Sequence, residues 1–261
     1  MNEPDPARTI NTGPREWDAD TYDEVSDPQF EWGTEVLGRL ELNGDEVVLD
    51  AGCGSGRVSA ELAERLRGGR LLAVDGSAAM IAKARERLGE DVTYLVADLS
   101  ELELEEPVDL IFSTATFHWI VDHDRLFQRL HAALRPGGRL VAQCGGQGNV
   151  AEYAGAIARA AAQPRFSHHF EGMAPMWNFA APDETEQRLL RAGFTEVRCW
   201  LQPKPVTPAQ PLEFISTVTL GPHLAQLPED LRQPFAEAVL EQAGKPLTLD
   251  YVRLNIEARR P

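Results

Sequence analysis

The stretch Val48-Leu49-Asp50-Ala51-Gly52-Cys53-Gly54-Ser55-Gly56 decides the fold of this 261-residue chain. An apolar run that ends beside an acid and passes straight into alternate glycines reads as a strand, a tight turn and the start of a helix. Glycines so spaced let backbone N–H and C=O groups approach a ligand at the carboxyl end of a parallel strand, where doubly wound sheets bind. Asp75 closes the next apolar run, Arg70 to Asp75, 19 residues after Gly56. A carboxylate at that place can accept from both hydroxyls of a ribose. The spacing also separates two kinds of ligand. A dinucleotide fingerprint needs a third glycine or alanine where a pyrophosphate meets the helix; that place holds Arg57 counted from Gly52, and Ser59 counted from Gly54. The register G-x-G-x-G suits a nucleoside without phosphates.

Outward from the loop, strand-like runs at 46–50, 70–75, 92–96, 108–113 and 138–144 alternate with helical patterns. The helices pass through Leu62 and Leu66, from Ser77 to Leu88 and from His123 to Leu134, and a turn Arg135-Pro136-Gly137-Gly138 precedes the fifth strand. Runs that are apolar throughout, separated by helices, predict an α/β fold with a doubly wound parallel sheet covered on both faces. Residues 1–44 read as a disordered start and an aromatic flap with Trp17, Tyr22, Phe30 and Trp32, followed by a helix to Leu40. An Ala-rich helix is expected at 150–163 and a Pro-flanked loop at 164–182. Asp183 and Glu186 have the spacing of a capping box, opening a helix that ends at Gly193. Strand-like runs at 194–201 and 248–258 follow, and between them 205–247 reads as a helical lid with helices introduced by Pro208 and Pro228. The core is thus expected to comprise 45–204 and 248–261, with the lid inserted in it.

The charge sum narrows the partners. Forty-one acidic against 25 basic residues leave a net charge of −16, a field that repels phosphate backbones and anionic lipid. Nucleic acid and membrane surfaces are therefore not expected as partners. Cys53, Cys144 and Cys199 are odd in number and fall in or beside apolar runs, so buried free thiols and a reducing, cytoplasmic setting are expected. No Asp/His/Cys cluster has metal spacing, and no metal is expected. Met1 to Arg15 is polar, and nowhere do eighteen apolar residues run together, which predicts neither an export signal nor a membrane span.

The chain resembles the class I S-adenosylmethionine-dependent methyltransferases. The resemblance rests on VLDAGCGSG at 48–56, Asp75 followed by Gly76-Ser77-Ala78-Ala79-Met80, Ala97-Asp98-Leu99, Ser113-Thr114-Ala115 and Leu134-Arg135-Pro136-Gly137-Gly138. It implies a Rossmann-like seven-stranded sheet with the last strand antiparallel, with 194–201 and 248–258 as the sixth and seventh strands. Phe117-His118-Trp119, the segment from Trp17 to Tyr22, Gly145 to Asn149 and the closing run from Tyr251 look like the trans-aconitate methyltransferase-like branch, whose members methylate carboxylates of small acids. The cofactor implied is S-adenosylmethionine, leaving S-adenosylhomocysteine.

The family roles fall on particular positions. Gly52 and Gly54 would meet the methionine and ribose portions, with Asp50 behind them ordering the turn. Asp75 would hold the ribose, Gly76 or Met80 would lie along the adenosine, and Asp98 and the Leu99 N–H would meet the adenine. Ser113 and Thr114 would border the ammonium group. Tyr22 and His118 are the candidates for direct chemical roles, and Trp17, Trp119, Arg57 and Arg253 for the acceptor, with either arginine able to grip a carboxylate bidentately. His118 can also be read as a packed histidine in an aromatic wall, Asp75 as a helix cap, a role compatible with holding a ribose, and Asp98 as a solvated strand-end carboxylate. The leading expectation is methyl transfer to a small molecule, to a carboxylate oxygen without an obligatory base. The alternatives are a hydroxyl or amine acceptor with His118 as base, or a protein that binds the cofactor without turnover. Monomer and homodimer both fit.

Overall fold

The computed structural model describes residues 27–173 and 177–261. Trp17 and Tyr22, with the rest of the expected flap before Asp27, lie outside the described residues. Helix α1 (Asp27–Leu37) is followed by β1 (Val47–Ala51), α2 (Arg57–Arg65), β2 (Arg70–Asp75), α3 (Ala78–Leu88), β3 (Thr93–Val96) and β4 (Val108–Thr114). Then come α4 (His123–Ala133), β5 (Leu134–Gly145), α5 (Ala151–Ala161), α6 (Pro182–Arg191) and β6 (Thr195–Pro203). The chain closes with α7 (Pro211–Phe214), a π-helical turn (Ile215–Thr219), α8 (Gly221–Ala225), α9 (Glu229–Ala243) and β7 (Val252–Arg259).

One seven-stranded sheet runs in the order β3-β2-β1-β4-β5-β7-β6. The first five strands are parallel, and β7 pairs antiparallel with both β5 and β6. The order reverses at β1, so the crevice outside the carboxyl ends of β1 and β4 is where such a sheet binds ligands. Two apolar clusters cover its faces. Val36, Leu37, Leu62, Leu71 and Phe112 pack on one, and Leu49, Ile111, Leu126, Phe127, Leu140 and Leu254 on the other. Each such side chain removed from water contributes roughly 1.5–3 kcal/mol.

A third cluster lies off the sheet. Phe214, Leu220, Phe235 and Val239 from 205–247 pack with Tyr153, Ile157 and Phe166, and with Trp32 of α1 and Tyr251. The helices of 205–247 therefore share a core with α5 and α1. Asp250 ties it to the sheet: its carbonyl accepts from Val150 N–H and its Oδ2 from Glu152 N–H, at 3.0 and 3.1 Å.

Three local expectations need correction. Helix α6 starts at Pro182 with Ala181 before it and no side-chain cap. The capping box does not form, because proline at the first helical position presets φ and Glu186 Oε1 accepts instead from Cys199 N–H of the edge strand β6, at 2.9 Å. The turn at 135–138 is a bulge inside β5, between Leu134 paired with Val108 and Arg139 paired with Leu110. The first helix of 205–247 begins at Pro211 rather than near Pro208.

Candidate active site

The loop leaving β1 is built from three left-handed glycines, with φ of +89° at Gly52, +54° at Gly54 and +83° at Gly56. Their surroundings differ. A Cβ on Gly52 would lie 2.1 Å from Thr116 Oγ1, and one on Gly56 would press on Ala84 and Leu88 of α3, so these two are closed by packing. Around Gly54 nothing lies within 4 Å of that position, so its backbone borders open space. Asp75 holds the loop from β2: its Oδ2 accepts from Gly54 N–H and its Oδ1 from Ser77 N–H, both at 2.9 Å. Ser77 caps α3 by accepting from Met80 N–H. Each oxygen of Asp75 thus accepts one backbone donor in fixing the loop.

Asp50 lies beneath the loop, 2% exposed, and accepts from Ser59 Oγ–H at 2.7 Å. Burial carries its carboxyl up to about 7, against the opposing Ser59 bond. An acid raised in this way is protonated in the fold where the unfolded chain is ionised. Stability then falls as pH rises from about 4 to about 7 and levels off above. Asp50→Asn should flatten that slope while still accepting from Ser59, as read by denaturant unfolding at pH 5 and pH 8. An unchanged slope would show that Asp50 ionises inside the fold.

Met80 is buried in the first turn of α3, and Gly76 is the residue between Asp75 and its cap. Asp98 Oδ1 accepts from Ser100 N–H and Oγ–H at 2.8 and 2.7 Å, so Asp98 is a cap for the turn that Leu99 opens. Ser113 is 1% exposed and donates to Ala51 O at 2.6 Å. Its hydroxyl ties β4 to β1. Thr114, one residue on, is half-buried and faces Gly33 of α1.

The chain turns sharply after β4, with Ala115 at φ +58°, and delivers His118 to the crevice. His118 is 7% exposed; its Nδ1 accepts from Gly145 N–H at 3.3 Å. Burial, then the Arg253 guanidinium, then His123 hold its pKa well below the usual histidine value. With Nδ1 used as acceptor, the neutral ring carries its proton on Nε2. Arg253, on β7 opposite Gly145, is 3% exposed and lies over the Trp32 ring at 4.9 Å. Arg57 is placed differently, pairing with Asp27 of α1 at 2.8 Å and lying over Phe30 at 4.5 Å. Of the two arginines singled out from sequence, Arg253 is the one beside His118.

Sequence reasoning missed a strap formed by Trp177-Asn178-Phe179. Asn178 N–H donates to His118 O, and its side-chain amide to Val121 O, both at 2.9 Å. Gln147 N–H donates to Ala180 O, so the strap bridges the loops after β4 and β5. Phe179 stacks on His118 at 5.7 Å and on Trp177 at 5.4 Å, and Trp119 meets His118 and Trp177 at 5.1 and 6.1 Å. Gly145 must be glycine here, since a Cβ would lie 2.6 Å from Phe179. The signal was two aromatics flanking an asparagine in a Pro-rich loop. Among the described residues, no group of three His, Cys, Asp or Glu could hold a metal ion, and no helix is long and apolar enough to cross a membrane.

A glycine loop at the switch point of a sheet in this order, with its seventh strand antiparallel, defines the class I methyltransferase fold. A family model described as "Methyltransferase domain" matches residues 48–138. A trans-aconitate 2-methyltransferase of Methylobacterium nodulans is 31% identical over 258 residues, covering 94% of this chain and 98% of that protein. The chain belongs to the class I S-adenosylmethionine-dependent methyltransferases, in the branch that contains the trans-aconitate 2-methyltransferases. The corresponding protein of Azoarcus sp. strain BH72 is 39% identical over 127 residues, 49% of this chain. That match spans about half, 50%, of the relative's length. Among solved structures, a phosphoethanolamine N-methyltransferase of Haemonchus contortus superimposes with a TM-score of 0.61 at 21% identity, over 93% of this chain and 57% of that one. It shows the shared fold.

Proposed function

We propose that the protein transfers a methyl group from S-adenosylmethionine to a carboxylate oxygen of a small acid. The cofactor half fits the residues present. Gly54 borders open space, the Asp75 carboxylate closes β2 beside that loop, where it would meet a ribose, and Asp98 follows β3, where an adenine would lie. When bound, the cofactor supplies a sulfonium methyl that is already electrophilic. The work left to the protein is to align acceptor and methyl and to exclude water.

The observation that carries the acceptor half is the juxtaposition of His118, bonded to Gly145 N–H, and Arg253, which lies opposite Gly145 on β7. A ring whose Nδ1 accepts from Gly145 N–H presents Nε2–H, a donor with no lone pair to take a proton. Beside it stands a buried guanidinium. Two donors and no base suit an anion, and a carboxylate is ionised at pH 7 without help. The relatives named as trans-aconitate 2-methyltransferases support the same reading.

Release of S-adenosylhomocysteine from a panel of metabolites tests it. Turnover should be nearly flat between about pH 6 and 9, because His118, faced by Arg253 and His123, stays neutral throughout. His118→Gln, which can still donate, should keep activity within about tenfold. A base would behave otherwise, with a rate falling on protonation and a loss of at least about 100-fold on substitution. That result would replace the carboxylate by a hydroxyl or amine acceptor. Calorimetric binding of S-adenosylhomocysteine without turnover of any metabolite would leave a cofactor-binding protein alone.

A further inference from the structure

Helix α4 opens with a histidine that reaches back toward His118. Asp122 caps the helix by accepting from Arg125 N–H at 2.9 Å, which makes His123 the first helical residue. A side chain there leans over the preceding turn. His123 is 2% exposed; its Nε2 lies 2.9 Å from Phe117 O, and its Nδ1 lies 3.3 Å from Arg188 Nη1 of α6. An arginine nitrogen can only donate, so Nδ1 is the acceptor and the neutral ring carries its proton on Nε2, where it is donated to Phe117 O. Arg188 is held in turn by Glu184, one turn earlier on α6, through an Nη2–H bond of 2.6 Å to Oε1.

The Phe117 carbonyl belongs to the peptide that leads into His118, and a peptide is planar. Holding that oxygen therefore fixes the backbone on one side of the His118 Cα. On the other side Asn178 N–H donates to His118 O at 2.9 Å, and the ring itself meets Gly145 N–H through Nδ1. Phe117 O also accepts from Ile120 N–H at 3.0 Å, closing the turn Phe117–Trp119. The His123 bond uses the second lone pair of that oxygen. Without it the turn would still close, and what it would lose is its attachment to α4.

His123 is faced by Arg188 and Glu184 of α6 and by Asp122 of its own cap. Burial holds its pKa below the usual histidine value against the bond to Phe117, with Arg188 adding to the lowering and Glu184 and Asp122 opposing it. His118 is faced by Arg253 of β7 and by His123, and the Cys144 thiol of β5 lies against its backbone. Protonation of His123 would put an N–H on Nδ1 against the Arg188 donor, which keeps the ring neutral.

We infer that His123 is a positioning residue for His118: with Arg188 fixing its tautomer, its Nε2–H holds the Phe117 carbonyl and so sets the turn that presents the His118 ring to the crevice with the proton on Nε2. The inference rests on the reading above in which His118 faces the acceptor as a donor, and it needs no acceptor for its test.

The full chain labelled with 15N-histidine should be titrated by long-range 1H–15N spectroscopy, with the two rings identified by the signals lost in His118→Gln and His123→Gln. Wild-type protein should show the Nε2–H tautomer at both rings between about pH 6 and 8. Leucine at 123 makes neither bond, and asparagine can meet Arg188 but is too short for Phe117 O. His123→Leu and His123→Asn should each lose the single tautomer of His118 and raise its titration midpoint by at least about one pH unit. His123→Gln, whose amide can donate to Phe117 O and accept from Arg188, should leave His118 as in the wild type, although it too lacks the imidazole. Calorimetric binding of S-adenosylhomocysteine checks that each variant is folded, and the wild-type tautomers stand as a test if one is not. An Nδ1–H tautomer at His123, an undisturbed His118 in the leucine and asparagine variants, or a glutamine variant as disturbed as the leucine one would overturn the inference. Turnover of a hydroxyl or amine acceptor alone, with the His118 signals as expected, would overturn the carboxylate reading and leave this inference standing.

Discussion

Arg253→Gln should lower kcat/KM for a carboxylate acceptor by about 100-fold to 1,000-fold and change the affinity for S-adenosylhomocysteine by no more than about twofold. Removing one partner of a buried, hydrogen-bonded charge pair costs roughly 2–5 kcal/mol, because the remaining charge is left in a low-dielectric site. At about 1.4 kcal/mol per decade, the middle of that range is two to three decades. Arg253 is 3% exposed, so little solvent is present to screen its loss. Arg253→Lys should fall between the two, since an ammonium keeps the charge and loses the planar fork that matches a carboxylate. Glutamine still covers Trp32 and preserves the pairing of β7 with β5, so thermal melting should separate loss of function from loss of fold. Full turnover by the glutamine variant would remove Arg253 from the acceptor site. Equal loss of cofactor and acceptor binding would show a general collapse of the crevice.

Asp75→Ala should weaken S-adenosylhomocysteine binding by about 3 kcal/mol, more than a hundredfold. Hydrogen bonds to a charged group are worth about 1.5–3 kcal/mol each. The carboxylate accepts from Gly54 and Ser77 N–H, and in the proposed function it also holds the ribose. The variant therefore loses ligand bonds and also the clip that holds the loop. The two losses separate by experiment: the clip lowers the melting temperature of the free protein, and the ribose contact lowers only the calorimetric affinity. Asp75→Asn, with one amide oxygen left to accept, should recover part of the first and little of the second. An unchanged dissociation constant in a folded Asp75→Ala protein would leave Asp75 as a backbone clip alone.

The sheet was legible because its signals are local. Alternating glycines after an apolar run permit a tight turn that other residues resist, and Gly52, Gly54 and Gly56 all take positive φ in it. The apolar runs at 70–75 and 108–113 could be placed with little error because strands covered on both faces need no partner to be recognised. The capping box at Asp183 failed on a local competition, in which Pro182 set the start of α6 and the edge of β6 claimed Glu186.

By itself, the sequence determined the parallel αβ order, the glycine loop, the carboxylate at the end of β2 and the antiparallel last strand that the family resemblance implied. All of these depend on residues close together in the chain or on strand order. Tertiary structure alone decided the surroundings of His118. It brought Arg253 of β7 opposite Gly145, paired Arg57 with Asp27, and spent the Ser113 hydroxyl on Ala51 O. It oriented the His118 ring through Gly145 N–H and laid Trp177 and Phe179 across the crevice. Each of these outcomes depends on which distant groups share one low-dielectric space, where an unpaired donor or charge is costly. No spacing along a single chain records that.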